Sequence, residues 1–246
     1  YYSVVQLGFY SRADSASQLP IANISAVINK VTYPMFASIA DDDLRLKMVY
    51  KRLMQQVIFW NTPILILLAV IAEPLFRFLF TDKWLPAVPY FQILCIAGIM
   101  YPLHAYNLNI LKVKGRSDLI LKLEFIKKSI CVVGILCVFP FGIYGLLYFQ
   151  LMFNFIGYYI NSIYSGKLIN YPIGEQIIDI IPMIATSVFA GMLCYLADML
   201  CFSTLQLLDV TRIIIDGLFF SLIYLASSSI LRLAPIHDFK QLILKR

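Results

Sequence analysis

Three polar side chains near the start of the chain, Arg12, Asn23 and Lys30, are separated by 11 and 7 residues. At about 100° per residue, a helix sets all three within about 20° of one face. Ser15, Gln18, Ser25 and Asn29 form a neighbouring stripe on the same segment. Such a side cannot face lipid, so it lines a protein interior or a water-filled cavity, where lysine and arginine would hold anions. Arg12, near one end, reads equally as a side chain snorkelling to the membrane surface. Lys30 lies deeper and is assigned to a cavity. Pro20 is expected to kink the helix and rotate Arg12 relative to Lys30.

A second group is Asp118, Lys122, Glu124, Lys127 and Lys128, followed by a stretch without charge. Asp118 with Lys122 and Glu124 with Lys128 have the i, i+4 spacing that pairs acid with base. One account has this helix protruding into water with its charges solvated. The apolar remainder, Ser129 to Phe139, is too short to cross a bilayer alone, so part of the charged turn enters the membrane region and Lys127 or Lys128 becomes a cavity candidate. His104, Asn107 and Asn109 follow Pro102, and Gln55, Gln56, Asn61 and Thr62 precede Pro63. For both sets the expected role is structural, satisfying backbone that proline leaves unpaired, ahead of contact with a substrate or proton. Asp41, Asp42 and Asp43 imitate a metal site but sit at a helix end, where a solvated cap is expected.

No catalytic constellation is present: two histidines, no H-E-x-x-H, no G-x-S-x-G, no P-loop and no paired Cys/His set. The five cysteines lie in apolar surroundings without a C-x-x-C pair and read as small hydrophobes. Neither cofactor nor metal is expected, and the chain is not read as an enzyme.

The elements that must position these residues follow from composition. The chain has 246 residues, 61% hydrophobic and 14% charged, against roughly 25% charged for a soluble domain. From Ser129 to Gly166 no acid or base occurs. An all-α polytopic membrane protein is expected, with seven transmembrane helices at about 17–40, 53–72, 87–111, 117–139, 143–166, 177–200 and 210–231. Loops after the odd-numbered spans carry Arg45, Lys47, Lys51, Arg52, Lys112, Lys114, Arg116, Lys122, Lys167, Arg232, Lys240, Lys245 and Arg246. The opposite side holds Arg12, Arg77, Lys83 and Arg212. Such alternation places the C-terminus in the cytoplasm. The net charge of +6 then belongs to juxtamembrane loops facing anionic lipid rather than nucleic acid.

The run Leu7-Gly8-Phe9-Tyr10-Ser11-Arg12-Ala13-Asp14, with Gln18-Leu19-Pro20 and Val31-Thr32-Tyr33-Pro34-Met35-Phe36-Ala37, resembles the Wzx-type polysaccharide and O-antigen flippases. These belong to the multidrug/oligosaccharidyl-lipid/polysaccharide exporter superfamily. The resemblance continues through Lys83-Trp84-Leu85-Pro86-Ala87-Val88-Pro89, Gly115-Arg116-Ser117-Asp118 and Tyr164-Ser165-Gly166-Lys167. It implies one lobe of a two-lobed flippase in the bacterial inner membrane, the C-terminal half, whose N-terminal half would lie upstream of Tyr1. By that resemblance the chain moves a polyprenyl-pyrophosphate-linked oligosaccharide by alternating access, for lipopolysaccharide or other surface polysaccharide. Arg12, Asn23, Lys30, Lys127 and Lys128 are then the substrate contacts, and polysaccharide polymerase machinery is an implied partner. The rivals are a drug/cation antiporter of the same superfamily, which would favour buried carboxylates over buried lysines, a polymerase or acyltransferase acting on lipid-linked sugars, and a seven-span receptor.

Overall fold

The computed structural model describes residues 3–202 and 208–236, without the side chains of 25, 27–29, 201 and 202. Lys240, Lys245, Arg246, the second histidine, His237, and the side chains of Ser25, Asn29 and one of the five cysteines, Cys201, lie outside the described residues. All regular structure among the described residues is helical. Helix α1, Val4–Ala37, starts with a capping box: the Ser3 hydroxyl accepts from the Gln6 amide and the Gln6 side chain accepts from the Ser3 amide. The helix runs unbroken through Pro20 and Pro34. Asp42 caps α2, Asp43–Val70, by accepting from the Arg45 amide at 3.0 Å, and Asp43 pairs with Lys114. The acidic triplet therefore serves a helix start. A short helix, α3, Ala72–Phe80, follows and leads through a 3-10 turn into α4, Val88–Gly98.

The expected third span is two pieces, α4 and α5, Tyr101–Val113. Pro102 lies in the first turn of α5, where its missing N–H costs least. The Ile99 carbonyl at the break accepts from Asn61 of α2 at 3.3 Å, a structural role at the α4–α5 break rather than at the Pro63 backbone. Beyond these come α6, Ser117–Val138, α7, Gly142–Leu168, α8, Ile173–Ala197, and α9, Asp209–Ile230. Gly142, with φ 69°, allows the sharp turn after Pro140. Lys122 lies over the Tyr164 ring, and Gly134 lies against Phe149, so α6 and α7 form an antiparallel hairpin.

Five helical stretches are long and apolar enough to cross a membrane: Asp43–Val70, Asp82–Val113, Ser117–Leu168, Ile173–Leu200 and Asp209–Ile230. The third of these is the α6–α7 hairpin and supplies two passes. Helix α1 is long enough at 34 residues but too polar to qualify by composition.

Helix α2 organises the interior. Leu46, Tyr50, Met54, Ile58 and Thr62 recur every fourth residue and are all buried, one stripe facing α4 and α8. Helix α1 buries Ala13, Ser17, Ile21, Thr32 and Phe36 against α4 and α5. Helix α7 packs on α4 and α5, α6 lies outside on α7, and α9 rests on α8 and α3. Ion pairs gather at two ends. Lys47 with Glu175, Lys51 with Asp179 and Lys114 with Asp43 join loops assigned to one side; Arg77 with Asp209 and Arg212 with Asp198 join elements assigned to the other.

At the centre, Asn107 of α5 makes four hydrogen bonds. Its Oδ1 accepts from the Tyr50 hydroxyl at 2.8 Å and the Ser165 hydroxyl at 2.5 Å, and its Nδ2 donates to Ser162 Oγ and the Leu103 carbonyl, each at 3.1 Å. One amide thus ties α2, α5 and α7. Asn107→Ala strands the Tyr50 and Ser165 hydroxyls, and a stranded buried donor costs about 1–3 kcal/mol. Thermal unfolding in detergent is expected to show that loss. Adding Tyr50→Phe should then cost less than it does in the wild type, by about 0.6 kcal/mol or more; full additivity would refute the coupling.

Candidate functional site

Two cavities hold candidate residues. The first, about 400 Å³, lies among α5, α6 and α7 and is lined by Tyr101, His104, Asn109, Lys112, Lys127 and Asn154 with apolar neighbours. Local sequence explains its position. Asn154, Gly157 and Asn161 recur along one face of α7 at spacings of three and four. Gly157 leaves room for His104, because a Cβ there would stand 3.0 Å from the imidazole. Asn161 bonds His104 Nδ1 at 3.2 Å, while His104 Nε2 and Asn161 Oδ1 are buried without a partner. One ring nitrogen and one amide oxygen beside the cavity are therefore uncommitted.

Lys127 reaches this cavity from α6 with 14% of its side chain exposed, and pairs with Glu124. Lys112 is exposed at the rim. The wall carries two cations, an imidazole and two amides, with no carboxylate among its lining residues. That set suits an anion bearing hydroxyl groups: lysines for charge, amides and imidazole for directional hydrogen bonds. Lys128, next in sequence, is exposed and outside the lining. The i, i+4 pairings do not form. Glu124 takes Lys127 instead of Lys128, and Asp118 takes Arg116 instead of Lys122. Arg116 precedes the helix and offers Asp118 a two-pronged guanidinium at 2.9 and 3.0 Å, a stronger arrangement than one flexible ammonium. Lys122 turns to the Tyr164 ring, 5.8 Å away.

The second cavity, about 380 Å³, lies between α1 and α2 and is lined by Asn23, Ile24, Gln56, Val57, Trp60, Asn61 and Ile64. Asn23 is exposed and donates to the Leu19 carbonyl of its own helix at 2.8 Å. Arg12 and Lys30 are exposed on α1 as well, so the predicted stripe faces away from α4 and α5. Arg12 stacks against two aromatic rings, 4.9 Å from Phe80 and 4.8 Å from Trp84, a cation–π arrangement that anchors it beside α3. Lys30 makes no ion pair among the described residues. The structure thus brings Asn23 and Lys127 to cavities and keeps Arg12, Lys30 and Lys128 apart from them.

At the far end of the α2–α8 contact, Tyr171 donates to Asp179 at 2.5 Å and Lys51 pairs with Asp179 at 2.8 Å. Burial pushes the Tyr171 phenol above its usual pKa, and the Asp179 carboxylate adds to the shift. Among the described residues no cluster of His, Cys, Asp and Glu could hold a metal ion. Among the described residues the charged groups buried most deeply are Asp198 and Asp216, not lysines, so the buried lysines expected from the sequence are replaced by buried carboxylates. Neither acid is singled out by counting basic residues in loops, although Arg212 and Asp216 have the same i, i+4 spacing that drew attention to α6.

Residues 1–89 match the model of a family described as polysaccharide biosynthesis protein. The chain is 31% identical over 123 residues to an uncharacterised membrane protein in the cps region of Klebsiella pneumoniae, half of this chain and 25% of that one. It is 29% identical over 113 residues to the teichuronic acid biosynthesis protein TuaB of Bacillus subtilis, 46% of this chain and 23% of that one. It is 27% identical over 128 residues to the lipopolysaccharide biosynthesis protein WzxC of Escherichia coli, 52% of this chain and 26% of that one. The chain resembles polysaccharide-biosynthesis membrane proteins of the flippase type. The matched stretches span about a quarter of each relative's length. No solved structure matches the chain. The family match holds α1, α2 and α3, and with them Arg12, Asn23 and Lys30; the cavity at Lys127 lies beyond it.

A basic cavity has a direct signature. With the five native cysteines replaced, Leu108→Cys at the cavity wall is expected to react faster with an anionic than with a cationic thiol reagent of the same size. One nearby charge in a water-like medium is worth about 1 kcal/mol, so Lys127→Ala should slow the anionic reagent and speed the cationic one roughly fivefold each, cutting the preference about thirtyfold. Equal rates in both backgrounds would show that the cavity is not electrostatically basic.

Proposed function

We propose that this chain forms one helical lobe of a flippase that moves a polyprenyl-pyrophosphate-linked oligosaccharide from the cytoplasmic to the outer leaflet by alternating access, for cell-surface polysaccharide. The observation that carries this reading is the match of residues 1–89 to polysaccharide biosynthesis proteins. That stretch contains the helix whose polar side the rest of the chain leaves uncovered. On this reading a second lobe faces α1, seven crossings bring the C-terminus to the cytoplasm of a bacterial inner membrane, and Arg12, Asn23 and Lys30 line the space between lobes. Lys127 and Lys112 extend the basic wall, with Lys128 outside the cavity available at the lipid headgroups. Lysines suit the anionic pyrophosphate, and the amides of Asn109 and Asn154 suit sugar hydroxyls. Export is coupled to polysaccharide polymerisation in the same membrane.

On this reading the chain acts as a transporter, and its polar groups line cavities that hold the cargo. Lys30→Ala in the complete protein tests the reading. A charge-assisted hydrogen bond contributes about 1.5–3 kcal/mol, so surface polysaccharide made per molecule of protein is expected to fall about tenfold, with Lys30→Arg retaining most of it. Unchanged export at equal protein level would remove Lys30 from the path.

A further inference from the structure

Between α8 and α9, at the end of the molecule holding Arg77, two carboxylates flank one guanidinium, which among the described residues binds only the first of them. Arg212 Nε and Nη2 donate to the two oxygens of Asp198, each at 2.5 Å. That fork uses two of the five guanidinium N–H donors, and 14% of the Arg212 side chain is exposed. Asp216 lies one turn further along α9 and is 1% exposed. Among the described residues its carboxylate meets only Cys194 Sγ, at 4.0 Å, a weak donor that also lies 3.5 Å from the Asp216 backbone carbonyl. An isolated charge in such a place is costly, and a carboxyl group there neutralises itself by taking up a proton.

The other charges nearby are already engaged. From α8 come Cys194 and Asp198, and from α9 itself Arg212. From α3 come Glu73 and Arg77, joined at 3.0 Å, with Arg77 also bound to Asp82 and Asp209. Helix α2 meets α9 through Phe59 and Tyr224 and keeps its own charges at its opposite end. No lysine approaches Asp216 from these elements.

We propose that Asp216 is a proton-binding site and that its proton decides which helix Arg212 holds. With Asp216 protonated, Asp198 and Arg212 cancel, and the guanidinium clasps α9 to α8. When the proton leaves to water, Asp216 becomes a carboxylate four residues from Arg212 on the same helix face, the spacing at which such pairs meet. Arg212 is then divided between two acids, and the clasp across α8 and α9 loosens. The site lies outside both cavities described above and stands whatever the cargo is. It supplies a group through which proton uptake biases the packing of the last two helices.

The test is infrared titration of the complete protein in lipid. A protonated-carboxyl band is expected on the acid side, lost on the alkaline side, absent in Asp216→Asn and shifted in frequency in Asp216→Glu. Asp198→Asn removes the competing acid and frees Arg212 for Asp216, so the midpoint of the titration is expected to fall by at least a pH unit, a tenfold loss of proton affinity. That shift distinguishes a proton site from a packing role, which Asp198→Asn would leave without effect on the band. Persistence of the full band in Asp216→Asn, or an unchanged or raised midpoint in Asp198→Asn, would overturn the proposal; should Asp216→Asn fail to fold, the Asp198→Asn midpoint decides alone.

Discussion

A polar group enclosed in an apolar helical bundle must find its hydrogen-bond partners inside the protein, because no water is there to supply them. Asn107 shows what that constraint builds. Its amide uses both donors and both acceptor directions on three helices. Tyr50, which donates to it, is fully buried and lies within 6.3 Å of the rings of Phe36, Tyr106 and Tyr171. The chain of satisfied groups continues from Tyr158 to Gln176, from Gln176 to the Tyr171 carbonyl, and from the Tyr171 hydroxyl to Asp179, which Lys51 neutralises. A dry interior is thereby connected step by step to a charged surface.

The same rule singles out its exceptions. Around α2, α5, α7 and α8 most buried polar groups are paired. Buried atoms without a partner remain inside the bundle at Asn61, Thr62 and Ser228. His104 and Asn161 keep unpaired atoms beside the cavity that Lys127 and Lys112 flank, and α1 leaves Arg12, Asn23 and Lys30 on its open side. On the proposed function, the capacity left over beside the cavity and on the open side of α1 serves a second body, whether a ligand or another lobe.

Much of this architecture is legible in the sequence because helix-forming apolar runs and proline breaks are local signals. Pro140 with Gly142 marks the hairpin and Asp42 the start of α2, whereas the division of α4 from α5 beside Pro102 is not read from the sequence, because the apolar run continues across it. Helix α3 escapes notice because its nine residues, with Glu73-Pro74 in the first turn, are too few for a periodic pattern to stand out. The partners of Glu124 and Asp118 escape for another reason: spacing says which residues can meet on an ideal helix, whereas Arg116 competes from outside it. Asp216 is invisible to any count of lysine and arginine in loops, being one acid within an apolar helix. Asn107 and His104 look alike in sequence, three residues apart after Pro102, and only packing separates them, one with every bond made and the other with a nitrogen left over.

The proposed function makes this chain part of a machine that carries an anionic lipid-linked sugar across a bilayer. The most direct measurement is transbilayer movement of a fluorescent polyprenyl-pyrophosphate oligosaccharide in vesicles reconstituted with the complete protein. Movement well above that of protein-free vesicles, inhibited by unlabelled lipid of the same headgroup and not by a neutral glycolipid, is the predicted result. Movement no faster than in protein-free vesicles, from protein that remains folded and oriented in the membrane, would contradict the account.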